Sequence, residues 1–258
     1  MINAPHPNLD MENLENIKRL YRRGWMVPGR MSHLVNLIDF NELKTVFDIG
    51  SWHLDQSIEF LICLENAKVH AFEPHPDSAN ECRKKRETVV IPHRHRVDVH
   101  EIALTDQIGE ISFYPLDTEK TNSTNVGMSS TLKIRDEDMR GDAEGNWIQK
   151  EIKVKATTLD EWCSETSIYP DLLWVDVQGA ELNLYNGGKE VLKNHVKVIM
   201  TEVGMKPYYD GHGLKPEIDR LLIEELGFVE LKSAFKRNDE YEADAIYIKP
   251  SILKNHLV

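Results

Sequence analysis

The fold class predicted by this 258-residue sequence is an open α/β fold on a mostly parallel sheet, and three observations carry it. From residue 45 onward, short apolar strand-like runs alternate with segments of helical spacing, the order that makes neighbouring strands parallel. Three of those runs stop on acids: Thr45 to Ile49 carries Asp48 before Gly50, Val69 to Phe72 ends on Glu73, and Asp171 to Val175 ends on Asp176. Ligands in such sheets bind just beyond the carboxyl ends of the strands, so the acids mark one rim.

Taken in order, residues 1–7 show no periodicity, and Asn8-Leu9-Asp10 can cap a helix carrying Met11, Leu14, Ile17, Leu20 and Tyr21 on one face. That helix should break near Gly24 and Pro28, and a second is expected over Met31 to Phe40. Residues 1–40 would then form a helical cap on a domain of residues 41–258. The alternating units follow as strand 45–49, helix about 54–65, strand 69–73 and helix about 77–87. Val97 to Leu104 reads as the third strand, Glu110 to Tyr114 as a short extra one, and Ile152 to Ala156 as another before a helix opened by Thr158 and Asp160.

Pro115 to Gln149 is rich in Thr, Ser, Asn, Gly and Asp and poor in apolar residues, so it cannot join the main core. A stretch this long within a domain predicts a lid-like insertion at about 115–150, with a disordered insertion as the other reading. Beyond it come the strand ending at Asp176, a helix from Ala180, a strand from Val196 to Val203 and a helix from Pro216 to Leu226. The segments Phe228 to Leu231 and Ala243 to Lys249, joined by a polar turn, predict a C-terminal antiparallel hairpin.

The 31 Lys and Arg residues against 43 Asp and Glu give a net charge of -12, a repulsive field for any polyanion, so the composition argues against nucleic acid as a partner. The basic run Arg83-Lys84-Lys85-Arg86 falls within a helical stretch and reads as a solvated face. Cys63, Cys82 and Cys163 are odd in number and widely spaced, which suggests neither a disulfide framework nor a zinc site and points to a reducing, cytoplasmic setting. No basic segment leading into an apolar core opens the sequence, and no apolar stretch approaches ~18 residues. A soluble, unexported chain without membrane association is expected.

Gly50 at the end of the first strand lets backbone N–H groups approach a ligand, and Glu73 follows it at the spacing of an acid that binds ribose hydroxyls. Together they predict an adenosine-bearing ligand. Ser51, Trp52, His53, Leu54 and Asp55 stand where a dinucleotide site needs G-x-G-x-x-G, so a pyrophosphate has no place. S-adenosylmethionine has no pyrophosphate, and its cationic groups suit the carboxylate of Asp48.

Over roughly Thr45 to Lys249 the sequence resembles the FkbM-type methyltransferases. Phe47-Asp48-Ile49-Gly50-Ser51 is similar to that family's first cofactor motif, and His70-Ala71-Phe72-Glu73-Pro74-His75-Pro76 to its ribose-binding motif. Ile102-Ala103-Leu104-Thr105-Asp106 with Gly109 resembles the segment beside adenine, and Met128-Ser129-Ser130-Thr131-Leu132 a serine-rich signature. Thr157-Thr158-Leu159-Asp160, the central Val175-Asp176-Val177-Gln178-Gly179-Ala180-Glu181, and Thr201-Glu202-Val203 complete the set in order. Where the family pattern is Asp-x-Gly-Ala-Asn-x-Gly-x-x-Ser, this chain keeps Asp48, Gly50 and Ser57 but has Trp52 for asparagine and Leu54 for the second glycine.

The resemblance implies a Rossmann-like class I methyltransferase fold of seven strands, S-adenosylmethionine as donor and an oxygen acceptor on a sugar or glycan. A polyketide or other small natural product is the alternative acceptor, and an inactive cofactor-binding module is the reading that Trp52 and Leu54 favour. The donor residues implied are Asp48, Gly50, Ser51, Ser57, Glu73, Pro74, Ala103, Leu104, Asp176 and Val177; Ser129, Ser130, Trp147 and Gln178 are placed at the acceptor.

Displacement at a sulfonium needs alignment of the reacting atoms and removal of the acceptor proton. Asp176 and Glu202, ending adjacent strands, are the expected bases, or jointly the oxygen ligands of a divalent cation such as magnesium or manganese. Loop histidines 53, 75 and 212 are weaker base candidates, and His93, His95 and His100 are too irregularly spaced for a metal site. Asp176-Val177-Gln178 also lacks the Asp/Asn-Pro-Pro-aromatic arrangement that holds a nucleic-acid base amine.

Overall fold

The computed structural model describes residues 29–88, 91–121, 129–136 and 147–254. The helix expected between residues 8 and 21, and much of the 115–150 insertion, lie outside them. Strands β1 (Thr45–Ile49), β2 (Lys68–Phe72) and β3 (Val97–His100) pair side by side in parallel. On the other side of β1 lie β7 (Leu172–Val175) and then β8 (Val198–Gly204), also parallel. Strand β11 (Glu242–Ile248) runs antiparallel to β8, and the sheet closes with two short strands on β11, β9 (Val229–Glu230) and β10 (Lys236–Arg237). The order is β10-β11-β8-β7-β1-β2-β3 with β9 beside β10 on β11, so among the described residues this sheet has eight strands where seven were expected.

A second sheet, β4 (Ala103–Leu104), β6 (Ile152–Thr157) and β5 (Gly109–Phe113), stands apart from the first. This corrects the single strand expected from Val97 to Leu104: the chain leaves the main sheet after His100 and re-pairs with β6 at Ala103. The break matters, because it carries Ala103 and Leu104 away from the sheet and over its rim.

Helix α1 (Asp55–Cys63) turns Ile58, Phe60, Leu61 and Ile62 inward against Val46, Val69, Leu172, Trp174, Val198 and Met200, one face of the sheet. The opposite face carries Phe47, Ile49, Phe72, Leu173, Val175 and Ile199. It is covered by α3 (Leu159–Thr166), α4 (Glu181–Asn186), α5 (Lys189–Asn194) and α6 (Lys215–Asp219) through Trp162, Leu184, Tyr185, Leu192 and Ile218. Side chains alternate between faces along each strand, so both faces bury apolar residues, each worth about 1.5–3 kcal/mol. Helix α2 (Pro76–Thr88) buries only Ala79 and Cys82, and its basic run lies in surface ion pairs, Arg83 with Glu101 at 2.9 Å and Lys84 with Glu81 at 2.6 Å.

Three further expectations are corrected. Met31 to Phe40 is two short 3₁₀ segments, Gly29–His33 and Phe40–Glu42, held apart where Asp39 caps the second through the N–H of Asn41. The Pro216 to Leu226 helix begins at Lys215 and widens after Asp219, the N–H of Leu226 reaching back to Leu221 at 3.0 Å. The terminal hairpin lacks a simple polar turn: a 3₁₀ turn at Lys232–Ala234 interrupts it, with Ala234 buried in the core that holds Met31. Among the described residues, no helix is long and apolar enough to cross a membrane.

Candidate active site

Because β1, β2, β7 and β8 are parallel, their carboxyl ends open on one edge, and each carries an acid within two residues of its end: Asp48, Glu73, Asp176 and Glu202. At the end of β1, Gly50 has φ +88°, and a Cβ there would lie 1.8 Å from the backbone oxygen of Asp176. Only glycine fits, so the two turns touch through bare backbone. The N–H groups of Gly50 and Ser51 both donate to the carbonyl of Phe72, at 3.0 and 3.1 Å.

Asp48 is fully buried beneath this turn. Its Oδ2 accepts the Ser57 hydroxyl, the Ser51 hydroxyl donates to its carbonyl at 2.8 Å, and its Oδ1 has no partner among the described residues. Burial pushes its carboxyl up to about 7, against the Ser57 hydrogen bond. Asp48, Ser51 and Ser57 therefore support the turn after β1 from below and do not line the cavity above it. Trp52 and Leu54 take left-handed φ of 42° and 62°, the conformation for which the family pattern supplies asparagine and glycine.

Glu73, buried at the end of β2, accepts the N–H of Trp52 on Oε2 and of His75 on Oε1, each at 2.9 Å. Each oxygen can accept a further hydrogen bond, and Glu73 lines the cavity. Burial raises this carboxyl to about 7, with the two backbone donors opposing.

Beyond β7, Asp176 accepts Nε2 of Gln178 at 2.7 Å, and the Tyr209 hydroxyl donates to Oε1 of Gln178 at 3.2 Å. Gln178 and Gly179 turn the chain through φ of 55° and 91°. The turn is held by Glu181, whose Oε1 accepts the N–H groups of Val177 and Gly179 at 3.3 and 3.2 Å and whose carboxyl burial lifts to about 7. Ser130 donates to the carbonyl of Val177 at 3.2 Å, tying the serine-rich segment to the same turn.

Glu202 on β8 lies across from Asp244 of β11, and Glu242 of β11 across from Gly204. Burial first and the charge of Asp176 second drive the Glu202 carboxyl well above its ordinary range, and burial raises Glu242 too, against a hydrogen bond with Glu202. Asp176 is raised too, by burial, with the Gln178 hydrogen bond and the cation of Arg30 opposing.

A cavity of about 260 Å³ follows the strand order along this edge. Glu73, Pro74 and Trp52 line it over β2 and β1, Asp176, Val177 and Gln178 over β7, and Glu202 and Glu242 over β8 and β11. From β2 to β8 is three strand spacings, about 14 Å, the span of a nucleoside with an extended tail. Ala103, Leu104 and Ile102 form the wall at the break between β3 and β4, and Ser129 also lines the cavity.

Of the expected site residues, Gly50, Glu73, Pro74, Ala103, Leu104, Ser129, Asp176, Val177, Gln178 and Glu202 line the cavity. Trp147 does not: it packs on Tyr208, ring centres 5.6 Å apart, beside Leu116, Ile134 and Tyr209. None of the described histidines lines it either; His212 is wedged against Gly204 and Gly179 and burial lowers it to about 4, while His100 pairs with His70 at 3.1 Å beside Trp162. Among the described residues no group of three or more His, Cys, Asp or Glu is arranged to hold a metal ion. Phe72, Phe113, Thr131 and Glu242 were not foreseen in the lining. The alternation of β5 could have pointed to Phe113, whereas Glu242 comes to the site only through the antiparallel pairing of β11.

The sequence matches the Methyltransferase FkbM domain over residues 48–230, more than half of the chain. It is 30% identical over 169 residues to 2-O-methyltransferase NoeI of Sinorhizobium fredii (strain NBRC 101917 / NGR234), covering 64% of this chain and 65% of that protein. The solved structure of a methyltransferase FkbM from Methylobacillus flagellatus KT is similar in fold, with a TM-score of 0.52 at 10% identity, covering 92% of this chain and 50% of that one. The chain thus spans about two thirds of the one relative and half of the other.

Proposed function

Because the chain belongs to the FkbM methyltransferase family, we propose that it transfers a methyl group from S-adenosylmethionine to a hydroxyl oxygen, with a sugar or glycan as acceptor. The observation that carries the reading is the run of acids along one cavity, Glu73 over β2 and Asp176 over β7, joined by the close approach of Gly50 to the Asp176 backbone. Glu73 is the acceptor for ribose hydroxyls, and Gly50 lets the donor's tail lie against the main chain. Ala103, Leu104 and Ile102 offer an apolar slot for the base. The donor, when bound, supplies a methyl on a cationic sulfur.

Asp176 then takes the hydroxyl proton of the acceptor as the oxygen forms its bond to carbon and the sulfur keeps the pair of the bond that breaks. Gln178, held by Tyr209, orients that carboxylate. Glu202, whose carboxyl burial drives well above its ordinary range, lines the same cavity beside Asp176 as the second candidate for that proton. Proton removal by Asp176 needs no group beyond those lining the cavity. The named 2-O-methyltransferase relative supports an oxygen acceptor, and the polar lining around Ser129, Thr131 and Gln178 suits a polyol better than a flat apolar product.

The turn at Trp52 and Leu54 weighs against an inactive module, since the Trp52 N–H still reaches Glu73. We read residues 115–150 as a lid over the acceptor end and residues 1–40 as a cap on the domain of residues 41–258. Three free, buried cysteines suit a cytoplasmic setting.

Transfer of labelled methyl from S-adenosylmethionine across a panel of mono- and oligosaccharides, with and without chelator, tests the reading. One acceptor should be methylated, chelator should change little, and Asp176→Asn should slow transfer by about 10²–10⁴-fold while still binding S-adenosylhomocysteine. Full turnover by the variant would contradict the assignment.

A further inference from the structure

Asp176 shares its surroundings with an unusual density of acids. Asp48 from β1, Glu73 from β2, Glu181 from α4, Glu202 from β8, and Glu242 and Asp244 from β11 all act on it or feel it electrostatically. The cation that acts on it is Arg30, from the segment preceding β1.

Arg30 is held from two sides. Its guanidinium lies over the Trp174 ring, 4.2 Å from the centroid, and its Nη2 bonds Oδ1 of Asp244 at 2.6 Å. Trp174 precedes Asp176 by two positions on β7, and Asp244 is the cross-strand partner of Glu202. A planar guanidinium can stack on an indole and bond a carboxylate at once, which a compact ammonium does poorly. Arg30 and Asp244 both lie outside the segment 48–230 that matches the family, whereas Trp174 lies within it.

We propose that Arg30 is a positioning residue for methyl transfer: clamped between Trp174 and Asp244, it supplies the positive charge that keeps Asp176 an anion among neighbouring acids. This rests on Asp176 as the proton acceptor, and it can be tested without knowing the acceptor.

S-adenosylmethionine and S-adenosylhomocysteine differ at sulfur by one methyl and one positive charge. The ratio of their dissociation constants, measured by calorimetry across pH 5 to 9, therefore reads the negative charge facing that sulfur. In the wild-type chain the preference for the sulfonium should rise with pH through one midpoint, and Asp176→Asn should abolish that rise. Arg30→Gln should move the midpoint upward by roughly one unit or more, since a near opposite charge lowers a carboxylate by about that much. Arg30→Lys keeps the charge but loses the stacked fork, so its midpoint should stay near wild type while its melting temperature falls; Arg30→Met, which removes the charge but keeps an apolar stem on Trp174, should shift the midpoint as Arg30→Gln does and decides the matter if the Gln variant does not fold.

An unmoved midpoint in Arg30→Gln, a Lys variant shifted as far as the Gln variant, or a rise that survives Asp176→Asn would each overturn the inference. Failure of the wild-type chain to bind either nucleoside would instead remove the donor reading itself.

Discussion

A methyl group on the Cα of Gly50 would sit 1.8 Å from the carbonyl oxygen of Asp176. The donor-side turn of β1 and the acid-bearing turn of β7 are therefore in backbone contact, and a change at one is felt at the other. Gly50→Ala adds a left-handed strain of about 1–2 kcal/mol to overpacking of about 1–3 kcal/mol. It should destabilise the chain by on the order of 3 kcal/mol in denaturant melts and abolish S-adenosylhomocysteine binding by calorimetry. Unchanged affinity would mean that the contact is irrelevant to the donor.

Leu54 presents the opposite balance. Its φ of 62° would favour glycine, yet its side chain is fully buried beside Ile58 and Leu61. Relief of strain is worth about 1–2 kcal/mol, whereas emptying a buried leucine site costs about 3–5 kcal/mol. Leu54→Gly should therefore lower stability by roughly 2 kcal/mol although it restores the family pattern. A stabilised variant would show that strain, not packing, dominates this turn.

Glu181 gives the pH dependence a sign. Its folded carboxyl, at about 7, lies above the ordinary 4.5, so its contribution is fully present below the unfolded value and lost as pH rises through about 7. Asp48 and Glu73, also raised to about 7, act in the same direction. The ligand-free chain should lose stability between pH 5 and pH 8, and Glu181→Gln should flatten that loss by on the order of 2–3 kcal/mol. Urea melts at the two pH values check this; identical slopes for variant and wild type would refute it.

On the proposed reading, Glu73→Gln removes a charged acceptor from ribose hydroxyls, worth about 1.5–3 kcal/mol. S-adenosylhomocysteine affinity should fall by about ten- to a hundredfold. Because the folded carboxyl titrates at about 7, wild-type affinity should also weaken as pH falls below that value. Calorimetry at pH 6 and pH 8 measures both effects, and a variant that binds as tightly as wild type would contradict the role.

Much of this was legible in the chain because strand ends announce themselves. Asp48, Glu73 and Asp176 each follow an apolar run, and parallel pairing leaves such residues no edge but one. Asp176 and Glu202 could be placed side by side for the same reason. What escaped depended on long-range pairing. Ala103 and Leu104 look like a continuation of β3, and only the competing partner β6 pulls them onto the cavity wall. Glu242 lies forty residues from Glu202 in a segment without a motif, brought near by the register of β11 on β8. Trp147 went the other way: an aromatic in a polar stretch suggested a sugar platform, but Tyr208 and Leu116 offered apolar cover.

A crystal structure of the chain with S-adenosylhomocysteine bound most directly tests whether these acids gather around one donor. The account predicts ribose hydroxyls on the Glu73 carboxylate, the base between Ile102 and Leu104, and the sulfur turned toward Asp176. A nucleoside bound elsewhere, or a ribose that leaves Glu73 without contact, would contradict it.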